Sequence, residues 1–108
     1  MRQAVEELLC AVAEQLGPLQ SGSEWYLFGS VERNFPQSFD IDVLILCQND
    51  EQADNLRRAI DPDQFPLPLD LSLMTFSEAA QVGAVQSQNA RLIYPRYVAI
   101  HRCRGASF

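Results

Sequence analysis

Between Arg2 and Leu16 the apolar residues Val5, Leu8, Leu9, Val12 and Leu16 recur at helical spacing, with polar residues between them. That pattern predicts an amphipathic helix with one face for a core, and Gly17-Pro18 ends it. Trp25 to Phe28 is short, aromatic and apolar, bounded by Gly22 and Gly29, and reads as a strand. Asp40 to Cys47 is rich in Ile, Val and Leu. Beyond its aspartates it is apolar on both faces, as a central strand covered on both sides would be. A short helix is expected over about Glu51 to Ile60.

Pro62, Pro66 and Pro68 mark a loop into Leu67 to Met74, where alternation sends the leucines to one face and Asp70 and Ser72 to the other. The prolines keep the start of this segment near a sheet edge. Thr75-Phe76-Ser77-Glu78 has the form of a capping box and opens a third helix, which Gly83 weakens and which ends near Asn89. Leu92 to Tyr94 and Tyr97 to Ile100 read as one or two further strands around Pro95. The order of elements predicts an α/β (α+β) layered domain: a small mixed sheet of about four to five strands flanked by about three helices.

With 108 residues the chain is expected to be a single domain over its whole length, 1–108. No run of roughly 18 apolar residues exists to span a membrane, and Glu6 and Glu7 break the layout of a signal peptide. The expectation is a soluble cytoplasmic protein. Cys10, Cys47 and Cys103 lie far apart without ligand-like spacing, and His101 is the one histidine, so zinc is not expected. The thiols read as reduced core residues.

The net charge of −6 argues against binding along duplex DNA, where affinity comes mostly from neutralising phosphates. All 14 acids lie in the first 90 residues, whereas Arg91, Arg96, Arg102 and Arg104 follow with no acid. The end of the chain, about 101–108, therefore reads as a basic tail, either simply solvated or open to an acidic partner or a polyphosphate. Every one of the 8 cationic residues is arginine, which excludes lysine nucleophiles and Schiff bases.

Asp40 and Asp42 stand at i and i+2 of a predicted strand, so both side chains leave one face, roughly 6 to 7 Å apart at the Cα atoms. Two carboxylates that close repel each other unless a cation sits between them. Hard oxygen ligands suit Mg2+ or Mn2+. Asp70, on the polar face of a neighbouring strand, can supply a third carboxylate, and three converging from adjacent strands can hold one or two ions for phosphoryl-type transfer. Gly29-Ser30 lies where a strand gives way to a turn or helix start, and the missing Cβ lets a phosphate approach the backbone. A Gly-Ser pair alone is a common turn, and Asp-x-Asp alone is a common strand end; the conjunction is what is specific.

Phe28-Gly29-Ser30, nine residues, then Asp40-Ile41-Asp42-Val43-Leu44-Ile45 resembles the signature of the DNA polymerase β-type nucleotidyltransferase superfamily, in particular its minimal nucleotidyltransferase domains. Asp70 in Leu69-Asp70-Leu71 takes the place of the family's third carboxylate, and Leu92-Ile93-Tyr94 is similar to its terminal strand. The resemblance implies a palm-like nucleotidyltransferase fold. It also implies that Gly29 and Ser30 bind nucleotide phosphates, that Asp40 and Asp42 hold Mg2+ or Mn2+, and that Asp70 joins them nearer the attacking hydroxyl. The family moves a nucleoside monophosphate from ATP or another nucleoside triphosphate to a hydroxyl. Small members often silence HEPN-type toxins by adenylylating them, which makes antitoxin activity the leading expectation. A contact-only binding partner, a small-molecule transferase of the aminoglycoside type and a homo-oligomer stay open.

Two segments depart from the family pattern. The chain reads Val31-Glu32-Arg33-Asn34 where minimal members carry a basic, glycine-containing turn. Arg33 keeps a cation for a phosphate and Asn34 can adopt the left-handed conformation of a glycine, while Glu32 brings negative charge. Phe35, Pro36 and Phe39 stand where small, polar residues are more usual.

Overall fold

A computed structural model of the chain describes residues 2–34 and 40–95. Helix α1 (Arg2–Leu16) buries Val5, Leu9, Val12 and Ala13, the stripe its periodicity demands. Gly17, at φ 56°, and Pro18 turn the chain into a 3-10 turn, Gly17–Gln20. Strand β1 (Glu24–Phe28) leads into α2 (Gly29–Glu32), a single helical turn, and β2 (Ile41–Cys47) follows. Helix α3 (Asp50–Ala59) is capped by Asn49, whose side chain accepts from the Gln52 amide at 2.8 Å. Asp50 and Glu51 open α3 and Arg57 and Arg58 close it, matching charge to the helix dipole at both ends.

Strand β3 (Leu69–Thr75) ends on the expected capping box. Thr75 Oγ1 accepts from the Glu78 amide at 3.1 Å, and the Glu78 carboxylate accepts from the Thr75 amide at 2.9 Å. The helix that begins there does not run on to Asn89 as expected. It divides into α4 (Phe76–Val82) and α5 (Ala84–Ser87), because Gly83 adopts the left-handed conformation, φ 61°, ψ 42°. The described helices therefore number five where about three were expected, two of them single turns. Strand β4 (Arg91–Tyr94) is the last element described; Tyr97 to Ile100 and the basic tail lie outside the described residues.

The four strands form one mixed sheet in the order β3-β2-β1-β4. Strand β2 runs parallel to β3, joined by the α3 crossover, and β1 pairs antiparallel with both β2 and β4. One face carries Trp25, Leu27, Ile41, Val43 and Ile45 against α1 and α3. The other carries Leu44, Leu46, Tyr26, Phe28 and Met74 against α4 and α5. Each fully buried aliphatic side chain contributes about 1.5–3 kcal/mol. β2, flanked by strands and covered on both faces, is the central strand its composition predicts.

Strand β3 lies at a sheet edge, as its prolines indicate. Leu69, Leu71 and Leu73 pack partly buried against the first cluster, while Asp70 faces outward. Trp25 is wholly buried, and its indole donates to Ser23 Oγ at 3.0 Å. Tyr94 meets it edge to face at 6.4 Å, so both are core rather than stacking platforms. Cys10 and Cys47 are buried free thiols. Among the described residues no helix is long and apolar enough to cross a membrane.

Candidate functional site

Pairing register builds the site. The antiparallel ladder sets Phe28, the last residue of β1, opposite Asp42, so Gly29 turns directly beside that carboxylate. The parallel ladder sets Asp70 of β3 opposite Asp42 of β2, about 4.8 Å away across the strands. Asp40 stands just before β2 and leaves the same face by the two-residue period. One oxygen from each of Asp40, Asp42 and Asp70 falls within 4.8 Å of the other two. Asp40 and Asp42 are half-buried and Asp70 is exposed, so the cluster opens to solvent from one side.

The electrostatics follow from this crowding. Burial first, then the Asp40 charge, a hydrogen bond with Asp70 and the Asp70 charge push the Asp42 carboxyl up to about 6, against which the nearby Arg33 guanidinium acts. Arg33 offsets these neighbours only in part, and a divalent cation would offset them more fully. The donor set is hard oxygen throughout, as Mg2+ or Mn2+ requires. At ~2.1 Å per ligand, opposite corners of an octahedron are about 4.2 Å apart. Neighbouring corners are about 3.0 Å apart, so side-chain shifts on the order of an ångström would bring all three oxygens to one such ion, and the residues fit the group.

Gly29 is required where it is. Its φ is 78°, and a Cβ built there would clash with Asp42 Oδ2 and lie 3.2 Å from Asp42 Cβ. Any larger residue would displace the carboxylate as well as strain the backbone. Ser30 follows, half-buried, in the single turn of α2. Arg33 comes directly after that turn, close enough to act on Asp42. All six residues singled out from the sequence thus gather at the end of the sheet where β1 stops and β2 and β3 begin.

The departing turn is accommodated by two features. Asn34 takes the left-handed conformation, φ 58°, in place of a glycine. Glu32 is held on the β4 side of the sheet: Arg91 Nε donates to its two carboxylate oxygens at 3.0 and 2.9 Å. Arg91 Nη2 also donates to Glu6 Oε1 at 2.6 Å, and Arg2 Nη1 donates to the Glu32 carbonyl at 3.1 Å. The guanidinium holds its proton still more tightly than usual, because of the Glu32 and Glu6 hydrogen bonds. Arg91, its side chain 42% exposed, therefore has its charge matched within the chain, by Glu32 and Glu6. Charge balance hints at this pairing, but the 59-residue separation from Glu32 hides it from any local pattern. Phe35, Pro36 and Phe39 lie outside the described residues.

No protein-family model matches the chain, and no curated protein matches it. The class of the molecule therefore rests on its own fold and geometry: a small mixed α/β domain with a three-aspartate cluster at one end of its sheet.

Proposed function

We propose that this chain is a metal-dependent nucleotidyltransferase of the polymerase β type, which moves AMP from ATP to a hydroxyl on a partner protein. In this reading it acts in the cytoplasm as the antitoxin of a HEPN-type toxin. The observation that supports it most is the meeting of Asp40, Asp42 and Asp70 within 4.8 Å, beside a left-handed glycine that only a missing Cβ allows against Asp42. The resemblance of the Gly-Ser and Asp-x-Asp segments supplies the reaction.

In that reaction the acceptor oxygen bonds to the α-phosphorus as the bond from that phosphorus to the β-bridging oxygen breaks. Pyrophosphate leaves with the electron pair. Asp70, the exposed carboxylate, orients the acceptor hydroxyl and receives its proton. Gly29 lets the phosphate chain approach the backbone, the Ser30 hydroxyl donates to it, and Arg33 adds a charge-assisted contact. Bound Mg2+ or Mn2+ at the three carboxylates supplies the positive charge that stabilises the attacking and leaving oxygens.

The test is incubation with labelled ATP, magnesium and a HEPN-type protein, comparing wild type with Asp40→Asn/Asp42→Asn. Label on the acceptor with wild type alone is the expected result. Equal labelling by both would sink the metal-site reading. No labelling, with equal neutralisation of the toxin by both, would instead identify a partner that works by contact.

A further inference from the structure

The face that bears the aspartates continues along the sheet into a cleft of about 230 Å³. The alternation of β2 and β3 makes this continuity necessary, since Leu44 and Ser72 are paired across the ladder one step beyond Asp42 and Asp70. Phe28, opposite Asp42, and Met74 complete the floor with Leu44. The left-handed Gly83 divides α4 from α5 here, and Val82 and Ala84 on either side of it form the wall. Val82 is 67% exposed, an apolar side chain left facing solvent at the mouth.

The volume decides what can enter. Sites that enclose a whole small ligand run to roughly 300–1,000 Å³, so this cleft takes one part of a ligand whose remainder lies over the carboxylates. Its chemistry narrows the part further. An aromatic ring and a thioether, set over the buried Leu44, offer apolar and polarizable surface to a flat ring, while Ser72, Ser87 and Gln88 offer polar groups. Ser87 Oγ donates to the Ala84 carbonyl at 3.3 Å, which leaves its lone pairs to accept. The Gln88 amide presents a donor and an acceptor side by side, the pairing that matches N6 and N7 of adenine. Apolar faces with a donor-acceptor edge describe a nucleobase.

We infer that this cleft seats the adenine of the nucleotide whose phosphates lie over Asp40, Asp42 and Asp70, with Gln88 reading its edge. The inference rests on the nucleotidyltransferase reading above and adds to it where the base sits and which residue reads it.

Calorimetric titration of the full chain with ATP, CTP and inorganic tripolyphosphate, each with magnesium, tests it. Wild type is expected to bind ATP about ten- to a hundredfold more tightly than tripolyphosphate, the increment typical of one stacked base. Gln88→Leu, at an exposed position that leaves the core intact, should remove the preference for ATP over CTP. Ser72→Leu, at a half-buried position on the cleft floor, should reduce ATP affinity toward that of tripolyphosphate, and both variants should bind tripolyphosphate as wild type does. Equal affinity of wild type for ATP and tripolyphosphate would overturn the inference. So would a preference for ATP that survives both substitutions. Failure of the underlying reading looks different: tripolyphosphate itself would not bind, or Asp40→Asn would leave its binding unchanged, and the inference would fall with it.

Discussion

Asp42 concentrates the tension of the site in a single residue. Its carboxyl titrates at about 6, against an ordinary value of 3.8, because burial and two neighbouring aspartates disfavour its charge. Between those two values the folded chain binds more protons at this group than the unfolded chain does. Without divalent ions its contribution to stability is therefore largest below about pH 4 and is lost as pH rises through about 6. Solvent screening at this half-exposed position reduces the effect, so Asp42→Asn is expected to stabilise the ion-free protein by about 1 kcal/mol at pH 8. The gain should vanish near pH 4. Urea unfolding in the presence of a chelator measures both values; an Asn variant less stable than wild type at pH 8 would refute the crowding argument.

At the scale of elements, Gly83 and Arg91 each decide how a short helix is held. If α4 and α5 were one helix, Gly83→Ala would stabilise the protein by about 1 kcal/mol through helix propensity. At φ 61° and ψ 42° the opposite is expected. Nothing lies within 4 Å of the added Cβ, so the cost is conformational alone, about 1 kcal/mol of destabilisation in chemical denaturation. A single turn such as α2 cannot hold itself together in water. Arg91, through Glu32, ties it to β4, and through Glu6 ties β4 to α1. Arg91→Met is expected to cost about 1–2 kcal/mol, because it leaves two partly buried carboxylates facing one another. Glu32→Gln in the same background should recover part of that loss. Additive losses in the double-mutant cycle would remove the ion pair from the account.

Over the whole molecule, what was legible in the sequence is what repeats or caps locally. The stripe of α1, the Thr75 capping box and the doubly apolar β2 are local patterns, and the structure follows each of them. The candidate carboxylates were legible as well, since a charged pair inside an apolar strand needs a reason. Their convergence was expected too, from the polar face of the Asp70 strand; the register that achieves it, Asp42 against Asp70 across a parallel ladder and against Phe28 across an antiparallel one, was not. Register is a non-local choice that no window of sequence contains. The Glu32–Arg91 pair was hidden for the same reason, and the break at Gly83 because a glycine inside a helical pattern reads equally as tolerated or as a stop.

Whether those three carboxylates act as one metal centre, as proposed, is tested most directly by magnesium binding, measured by calorimetry at pH 7.5. The expected result is one saturable set of sites in the wild-type chain, weakened at least about tenfold in each of Asp40→Asn, Asp42→Asn and Asp70→Asn, since removing one ligand charge costs over about 1.4 kcal/mol. Isotherms that match wild type in all three variants would contradict it.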